Sequence, residues 1–367
     1  MKKVIIAPDS FKGTLSSPEV CKIISDTLKE KYSHIETELL PIADGGEGTS
    51  EAYLHIFGGK KVSLTVRSPL GRKIEASYAV LPDKTAVIET AAASGISAEN
   101  EKNALFASTY GTGQMLLHAA ENGAQKIILG LGGSATTDGG AGCLAALGAK
   151  FLDENGSVIP LGGIGLKSLA KIDLSGLCPL FHEIPLTVLC DVKNPLYGEN
   201  GAAFVYAKQK GANENEIVLL DEALRHYSKI VFETLKKDFS SFEGTGAAGG
   251  MGFACLAFLK GQLKSGIDCI LDAANFEKRA QSADLIITGE GKMDAQSLMG
   301  KAPFGIAKRS GKTKVIAIVG MLDVPIEEVR KFKISEVYET NVLHLPFGKV
   351  KSTAKEDLVK AVKKLEI

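Results

Sequence analysis

The stretch Lys2-Lys3-Val4-Ile5-Ile6-Ala7-Pro8-Asp9-Ser10-Phe11-Lys12-Gly13 decides how the chain is read. A short apolar run meets an acid at once, then a turn carrying a hydroxyl, a lysine and a glycine. The run is too short for a secretory leader and reads as a buried first strand over Val4–Ala7. Ser16-Ser17-Pro18-Glu19 follows. Serine at the N-cap, proline at the first helical position and glutamate three after Ser16 predict a helix start, with the helix running to about Lys31. A second strand is expected over Ile35–Ile42 and a second helix over about Thr49–Phe57. The first sixty residues therefore read β-α-β-α.

Beyond that point the pattern changes. Val62–Val66 and Ile74–Val80 alternate apolar and polar, and Thr85–Ile88 follows a turn, which predicts an antiparallel meander. Helix and strand then alternate: a helix over about Gly111–Asn122, a strand over Lys126–Leu131, a helix over Ala141–Leu147 and a strand over Leu186–Cys190. Ile217, Leu220, Leu224 and Ile230 mark one face of a long helix over Glu214–Lys237. From Ala283 the β-α-β pattern returns, with strands at Asp284–Thr288, Val315–Val319 and Ser335–Tyr338 and a last helix near Thr353–Lys364. We expect an α/β fold: a doubly wound parallel sheet domain built from both chain ends (1–60 and 276–367), with a second α/β domain of mixed sheet inserted over 61–275. A chain of 367 residues exceeds one ordinary core, in keeping with two domains.

Composition excludes several classes. Lys plus Arg and Asp plus Glu both number 43, and a nucleic-acid or anionic-membrane partner normally leaves a basic excess. No run reaches the roughly 18 apolar residues of a membrane span. The six cysteines are scattered, with no Cys-x-x-Cys pair, as in a reduced, cytoplasmic protein. The six histidines show no metal-ligand spacing. Glycine is the unusual count, 40 of 367, or about 11% against a usual 7% or so. The glycines cluster, which predicts several tight loops.

Those loops follow strands, where ligands bind in open α/β sheets. Asp9-Ser10-Phe11-Lys12-Gly13 follows the first strand and Asp44-Gly45-Gly46-Glu47-Gly48 the second. Gly132-Gly133-Ser134-Ala135-Thr136-Thr137-Asp138-Gly139-Gly140 follows the strand ending near Leu131. Asp191-Val192-Lys193-Asn194 and Gly289-Glu290-Gly291-Lys292-Met293-Asp294 follow two more. Glycines let backbone N–H groups approach phosphate, lysine neutralises a phosphoryl group, and carboxylates hold Mg²⁺ or accept a hydroxyl proton. Each loop alone is equally explained as turn chemistry. Five together point to phosphoryl transfer. Gly130-Leu131-Gly132-Gly133-Ser134-Ala135 also fits a relaxed dinucleotide pattern, so an NAD-linked hydroxy-acid dehydrogenase is a rival, as is a non-catalytic ligand-sensing module.

The same segments resemble the type I glycerate kinase family, end to end. They are joined by Glu89-Thr90-Ala91-Ala92-Ala93-Ser94-Gly95, Ser108-Thr109-Tyr110-Gly111-Thr112-Gly113, Gln296-Ser297 and Gly300-Lys301-Ala302-Pro303. The resemblance implies ATP-dependent phosphorylation of D-glycerate with Mg²⁺, with 2-phosphoglycerate the usual product. It also implies a flavodoxin-like domain made of both chain ends. Within that frame we expect Asp191 as the general base, and Lys12 and Lys292 on the phosphoryl group. Asp9, Ser10 and Arg67 are expected at the substrate. Gly45, Gly46, Gly132, Gly133, Ser134, Thr136, Gly289 and Gly291 are expected around the nucleotide phosphates, and Asp44, Asp138, Glu290 and Asp294 at the metal. The active site is expected in the cleft between the domains of a cytoplasmic monomer or homodimer, whose partners are glycerate and ATP and not nucleic acid or membrane.

Overall fold

A computed structural model describes residues 2–367 apart from Asn100 and Gln296, so the Gln296 of the family-like stretch lies outside the described residues. The strands are β1 (Lys2–Pro8), β2 (Ile35–Leu39), β3 (Lys60–Arg67), β4 (Lys73–Val80), β5 (Thr85–Glu89), β6 (Lys126–Gly130), β7 (Lys150–Leu152), β8 (Lys171–Asp173), β9 (Leu186–Leu189), β10 (Gln262–Lys264), β11 (Leu285–Met293), β12 (Lys314–Leu322) and β13 (Ile334–Glu339). They fall into two compact units. The first comprises Met1–Asp44, Glu51–Phe57 and Gly266–Ile367; the second comprises Gly45–Ser50 and Gly58–Ser265.

The first unit holds one parallel sheet in the order β13-β12-β11-β1-β2. Counted along this unit, that is 2-1-3-4-5, the flavodoxin-like doubly wound order, and the winding reverses between β1 and β11. Continuous burial of Val4 to Pro8 and of Leu285 to Glu290 follows from helices on both faces. On one face Val4, Ile6, Ile287 and Ile318 pack with Val20, Ile24 and Leu28 of helix Ser17–Lys31 and with Leu358 and Val362 of helix Ala354–Lys363. The expected capping box is present: the Ser16 amide donates to Glu19 Oε2 at 2.8 Å, and the Glu19 amide donates to Ser16 Oγ at 3.4 Å.

The second unit holds a six-stranded mixed sheet, β10-β9-β6-β5-β4-β3, and a two-stranded sheet of β7 and β8. The expected meander is seen in the antiparallel pairs β3–β4 and β4–β5, while β5, β6, β9 and β10 run parallel. Helix Glu214–Leu235 buries the four expected face residues Ile217, Leu220, Leu224 and Ile230. The expected domain limits near 61 and 275 differ from the unit limits at 58 and 265. Helix Gly266–Ala273 accounts for the second difference: its Ile267 packs on Gly305 in the first unit. Strands β7, β8 and β10 were not expected; at three residues each they are too short to show a period. Among the described residues no helix is long and apolar enough to cross a membrane.

Helix Tyr110–Glu121 meets helix Ala141–Ala146 backbone to backbone at Gly113. A Cβ there would stand 2.4 Å from the Cys143 carbonyl oxygen and 2.9 Å from Cys143 Cα. This contact fixes the helix that leaves the glycine-rich loop at 132–140. Alanine gains about 1 kcal/mol of helix propensity over glycine, but the forced separation outweighs it. Gly113→Ala is expected to lower the unfolding free energy by about 1–3 kcal/mol in a denaturant titration.

Candidate active site

In the first unit, chain reversal at the carboxyl end of β1 builds a compact charged cluster. The Asp9 amide donates to the Gly289 carbonyl at 2.8 Å, carrying the β1–β11 ladder one residue further. The Ser10 amide donates to Asp9 Oδ1 at 2.6 Å. A tight turn follows, in which the amides of Thr14 and Leu15 donate to the Phe11 carbonyl at 2.8 and 3.1 Å. That turn presents Lys12, whose Nζ lies 2.9 Å from Asp44 Oδ2. Burial works against the Lys12 charge, but Asp44, Asp9 and Glu290 outweigh it and hold its pKa above the ordinary value.

Two carboxyls of the cluster are nearly closed off from water: Asp9 is 7% exposed and Glu290 6%. Burial pushes the Asp9 pKa up to about 7, helped by Asp44 and opposed by Lys12. Burial likewise raises Glu290 to about 7; Ser297 and Lys301 oppose the shift while Asp9 and Asp294 add to it. One Glu290 oxygen is buried without a hydrogen-bond partner. Asp9 ends β1 and Glu290 lies on β11, so the pair straddles the point where the sheet reverses its winding.

The neighbouring expected residues behave differently. Lys292 is exposed and pairs with Asp323 at 2.7 Å, so in this structure its charge is matched by Asp323. The Ser297 amide donates to Asp294 Oδ1 at 3.2 Å, which closes a local turn. Gly289 allows close strand packing, since a Cβ there would stand 2.0 Å from the Ile318 carbonyl oxygen. Gly291 lies against the Phe11–Lys12 backbone.

In the second unit the Gly45–Gly46 segment lies on the carboxyl ends of β6 and β9. The Gly132 amide donates to the Gly45 carbonyl at 3.0 Å. Gly45 has φ +89, and a Cβ there would meet Leu189 Cβ at 2.7 Å. Glu89, at the end of β5, caps the helix that begins at Thr49: it accepts the Gly48 amide at 3.2 Å and the Ser50 amide and hydroxyl at 2.6 Å each. The glycine-rich loop is fixed on one side by the Ile96 amide, which donates to the Gly133 carbonyl at 3.1 Å, and by the Ala135 amide, which donates to the Ser94 carbonyl at 2.8 Å. On another side Lys210 Nζ donates to Ser134 Oγ at 3.1 Å and to the Thr136 carbonyl at 2.6 Å.

Asp138 is fully buried and accepts the amides of Thr109, Gly140 and Gly142 at 2.8, 3.1 and 3.2 Å and the Thr109 hydroxyl at 2.9 Å. Burial raises its pKa in spite of those bonds. Asp191, expected as the general base, is not held in the sheet. The Cys190 amide still donates to the Lys264 carbonyl at 2.8 Å, after which the chain leaves the sheet and Asp191 is exposed. Arg67 ends β3, exposed, with its guanidinium 4.7 Å from the Tyr110 ring centroid. Among the described residues, no three His, Cys, Asp or Glu side chains form a group spaced to hold a metal ion.

Sequence reasoning missed Glu89 and Thr109 as loop anchors, although both lie in family-like segments. It missed Lys210 altogether, because Lys208-Gln209-Lys210-Gly211 carries the composition of a solvated turn. Lys210 is 3% exposed, and burial lowers its pKa to about 7, opposed by Asp138.

With this geometry in hand, the chain matches the glycerate kinase family over residues 4–366. It is 44% identical over 341 residues to a glycerate 2-kinase from Escherichia coli strain K12, covering 92% of this chain and 90% of that protein. It is 43% identical over 343 residues to a glycerate kinase from Halalkalibacterium halodurans, again covering 92% and 90%. A crystal structure assigned to glycerate kinase 2 from Salmonella typhimurium LT2 superposes with a TM-score of 0.85 at 39% identity, covering 99% of this chain and 96% of that one.

The raised pKa of Glu290 has a definite sign in stability. A carboxyl that holds its proton more tightly when folded loses stability as pH rises from its unfolded value, near 4.5, through the folded value of about 7. Glu290→Gln removes that loss. The variant is expected to exceed the parent by about 1–3 kcal/mol at pH 8, with the difference vanishing below pH 4.5. Chemical denaturation at the two pH values reads it.

Proposed function

The chain belongs to the glycerate kinase family, and from that premise we propose that it transfers the γ-phosphoryl group of ATP to a hydroxyl of D-glycerate, the 2-hydroxyl favoured. The observation that carries this reading is the Asp9–Lys12–Asp44–Glu290 cluster at the β1–β11 switch point, where a doubly wound sheet takes its ligand. The name of the Escherichia coli relative, glycerate 2-kinase, favours the 2-hydroxyl. Six scattered cysteines with no Cys-x-x-Cys pair suit a cytoplasmic setting.

In the reaction, a glycerate hydroxyl oxygen attacks the γ-phosphorus, the bond from that phosphorus to the β–γ bridging oxygen breaks, and ADP leaves. The hydroxyl proton passes to a base, for which we keep Asp191, at the exposed loop that follows β9. Lys12, held charged by its acidic neighbours, suits the oxygens of the transferred group. The Gly45–Gly46 segment and the backbone N–H groups of Gly133, Ser134 and Thr136, with the Ser134 hydroxyl, suit the nucleotide phosphates, while the Gly132 and Ala135 amides are spent on the Gly45 and Ser94 carbonyls. Asp9 and Ser10 suit the glycerate hydroxyls, and Arg67, oriented by Tyr110, suits the carboxylate. Lys292, paired with Asp323, is the weaker of the two lysines for the phosphoryl group.

For Mg²⁺ the donor set fits unevenly. Glu290 fits best, with one buried oxygen lacking a partner. Asp44 belongs to the same cluster, and Asp294 lies close enough to raise the Glu290 pKa. Asp138 fits poorly, since amide and hydroxyl donors occupy its oxygens. Bound there, Mg²⁺ would neutralise charge on the phosphates and hold the buried carboxyls ionised.

The direct test is a coupled assay with D-glycerate, ATP and Mg²⁺ that detects 2- and 3-phosphoglycerate separately. Formation of 2-phosphoglycerate is expected; 3-phosphoglycerate would correct the attacked hydroxyl, and no product would reject the reading. Asp191→Asn is expected to bind ATP normally and to lose kcat by about 10²–10⁴-fold. Near-normal turnover would remove Asp191 from the role of base. Arg67→Lys is expected to raise the KM for glycerate, because the planar, ring-stacked guanidinium is not reproduced by an ammonium; an unchanged KM would end that assignment.

A further inference from the structure

Within the second unit, one short segment touches two of the loops that carry the proposed chemistry. Helix Ala202–Tyr206 starts beside the loop after β9, where the Ala202 amide donates to the Leu196 carbonyl at 3.1 Å. At its end the Tyr206 hydroxyl donates to Asn194 Oδ1 at 2.6 Å. Four residues later Lys210 reaches into the glycine-rich loop and donates to Ser134 Oγ and the Thr136 carbonyl. The two ends of the segment thus grip the loop that follows Asp191 and the loop of Gly132–Gly140.

We propose that Tyr206 and Lys210 form a brace that sets the glycine-rich loop and the Asp191 loop in register, with both as positioning residues for the kinase reaction. The inference rests on the proposed function, since it assumes that those loops serve nucleotide and base.

A buried ammonium is expensive unless it is bonded. Lys210 is 3% exposed and spends its bonds on the glycine-rich loop. Its gift to Ser134 has a direction. In its ammonium form Lys210 can only donate, so the Ser134 hydroxyl oxygen accepts and the Ser134 proton is left to donate elsewhere, as a residue bonding a phosphate oxygen must. The Thr136 carbonyl is drawn to the ammonium as well, which turns that peptide's oxygen toward Lys210. The segment is itself anchored: the Lys210 amide donates to the Ala207 carbonyl at 3.0 Å, and Lys102 Nζ donates to the Gln209 carbonyl at 2.9 Å. At the other end the Asn194 amide group donates to the Asn200 carbonyl at 2.8 Å, so the Tyr206 bond fixes a loop already folded on itself. Neither residue needs to touch a reacting atom. Each acts through a loop.

The test uses two variants of the full chain. Lys210→Met keeps the length and removes the donors; Tyr206→Phe removes one hydroxyl from a half-buried ring. Lys210→Met is expected to raise the KM for ATP at least tenfold while the KM for glycerate stays within twofold. Tyr206→Phe is expected to lower kcat at least fivefold with the KM for ATP within twofold. Amide hydrogen exchange without ligands gives a second readout. Lys210→Met should speed exchange across 132–140, and Tyr206→Phe across 191–195, by tenfold or more, with β5 unchanged in both. Equal losses in all kinetic constants, or unchanged exchange in the named loops, would overturn the brace. If Lys210→Met does not fold, Tyr206→Phe decides alone, and unaltered kcat and exchange there would overturn it. If the parent protein phosphorylates no glycerate, the functional reading fails, and exchange then decides whether the brace exists.

Discussion

Everything chemical in the first unit depends on keeping two carboxyl groups almost dry where a parallel sheet reverses its winding. Asp9 follows β1 and Glu290 lies on the adjacent β11, and the apolar runs that make those strands also bury the acids. Burial alone would leave both neutral. Lys12, held by Asp44, opposes the shift at Asp9, and Ser297 and Lys301 oppose it at Glu290. The outcome is a pair of acids balanced near neutrality, a state that a cation or a transferred proton can tip in either direction.

The second unit solves a different problem, which is to bring two glycine loops against each other and hold them there. Close approach does the first task. The Gly45 carbonyl accepts the Gly132 amide, and side chains at these positions would collide with neighbouring backbone. Buried polar side chains do the second. Glu89 fixes the start of the Thr49 helix, Asp138 ties the glycine-rich loop to Thr109, and Lys210 ties it to the segment after helix Ala202–Tyr206. Each of these three would be costly to bury without its bonds, so the loop and its anchors stand or fall together.

Much of this was legible in the sequence. Strands β1, β6, β11 and β12 are apolar runs bounded by turn residues, and the helix start at Ser16 follows local capping chemistry. The glycine loops after β1, β6 and β11 could be read because the residue types that make tight turns differ from those that fill a core. What could not be read depends on distant partners. Nothing near Lys292 foretells Asp323, and nothing near Lys210 marks it as buried. Asp138 looked like a metal ligand because Asp-Gly-Gly is shared by phosphate loops and by acids that organise their own turn. The exposure of Asp191 depends on where β9 ends, and strand ends are set by pairing with β10, itself only three residues long.

The chemistry of the first unit turns on the ionisation of Asp9 and Glu290. Carbon-detected NMR of protein labelled at the Asp and Glu carboxyls, followed through a pH titration, observes it directly. Two carboxyl resonances are expected to titrate near pH 7, one disappearing in Asp9→Asn and the other in Glu290→Gln. If every carboxyl titrated between about pH 3 and 5, the ordinary range for exposed acids, the two groups would not be held dry at the switch point, and the site would not be built on a pair of buried acids.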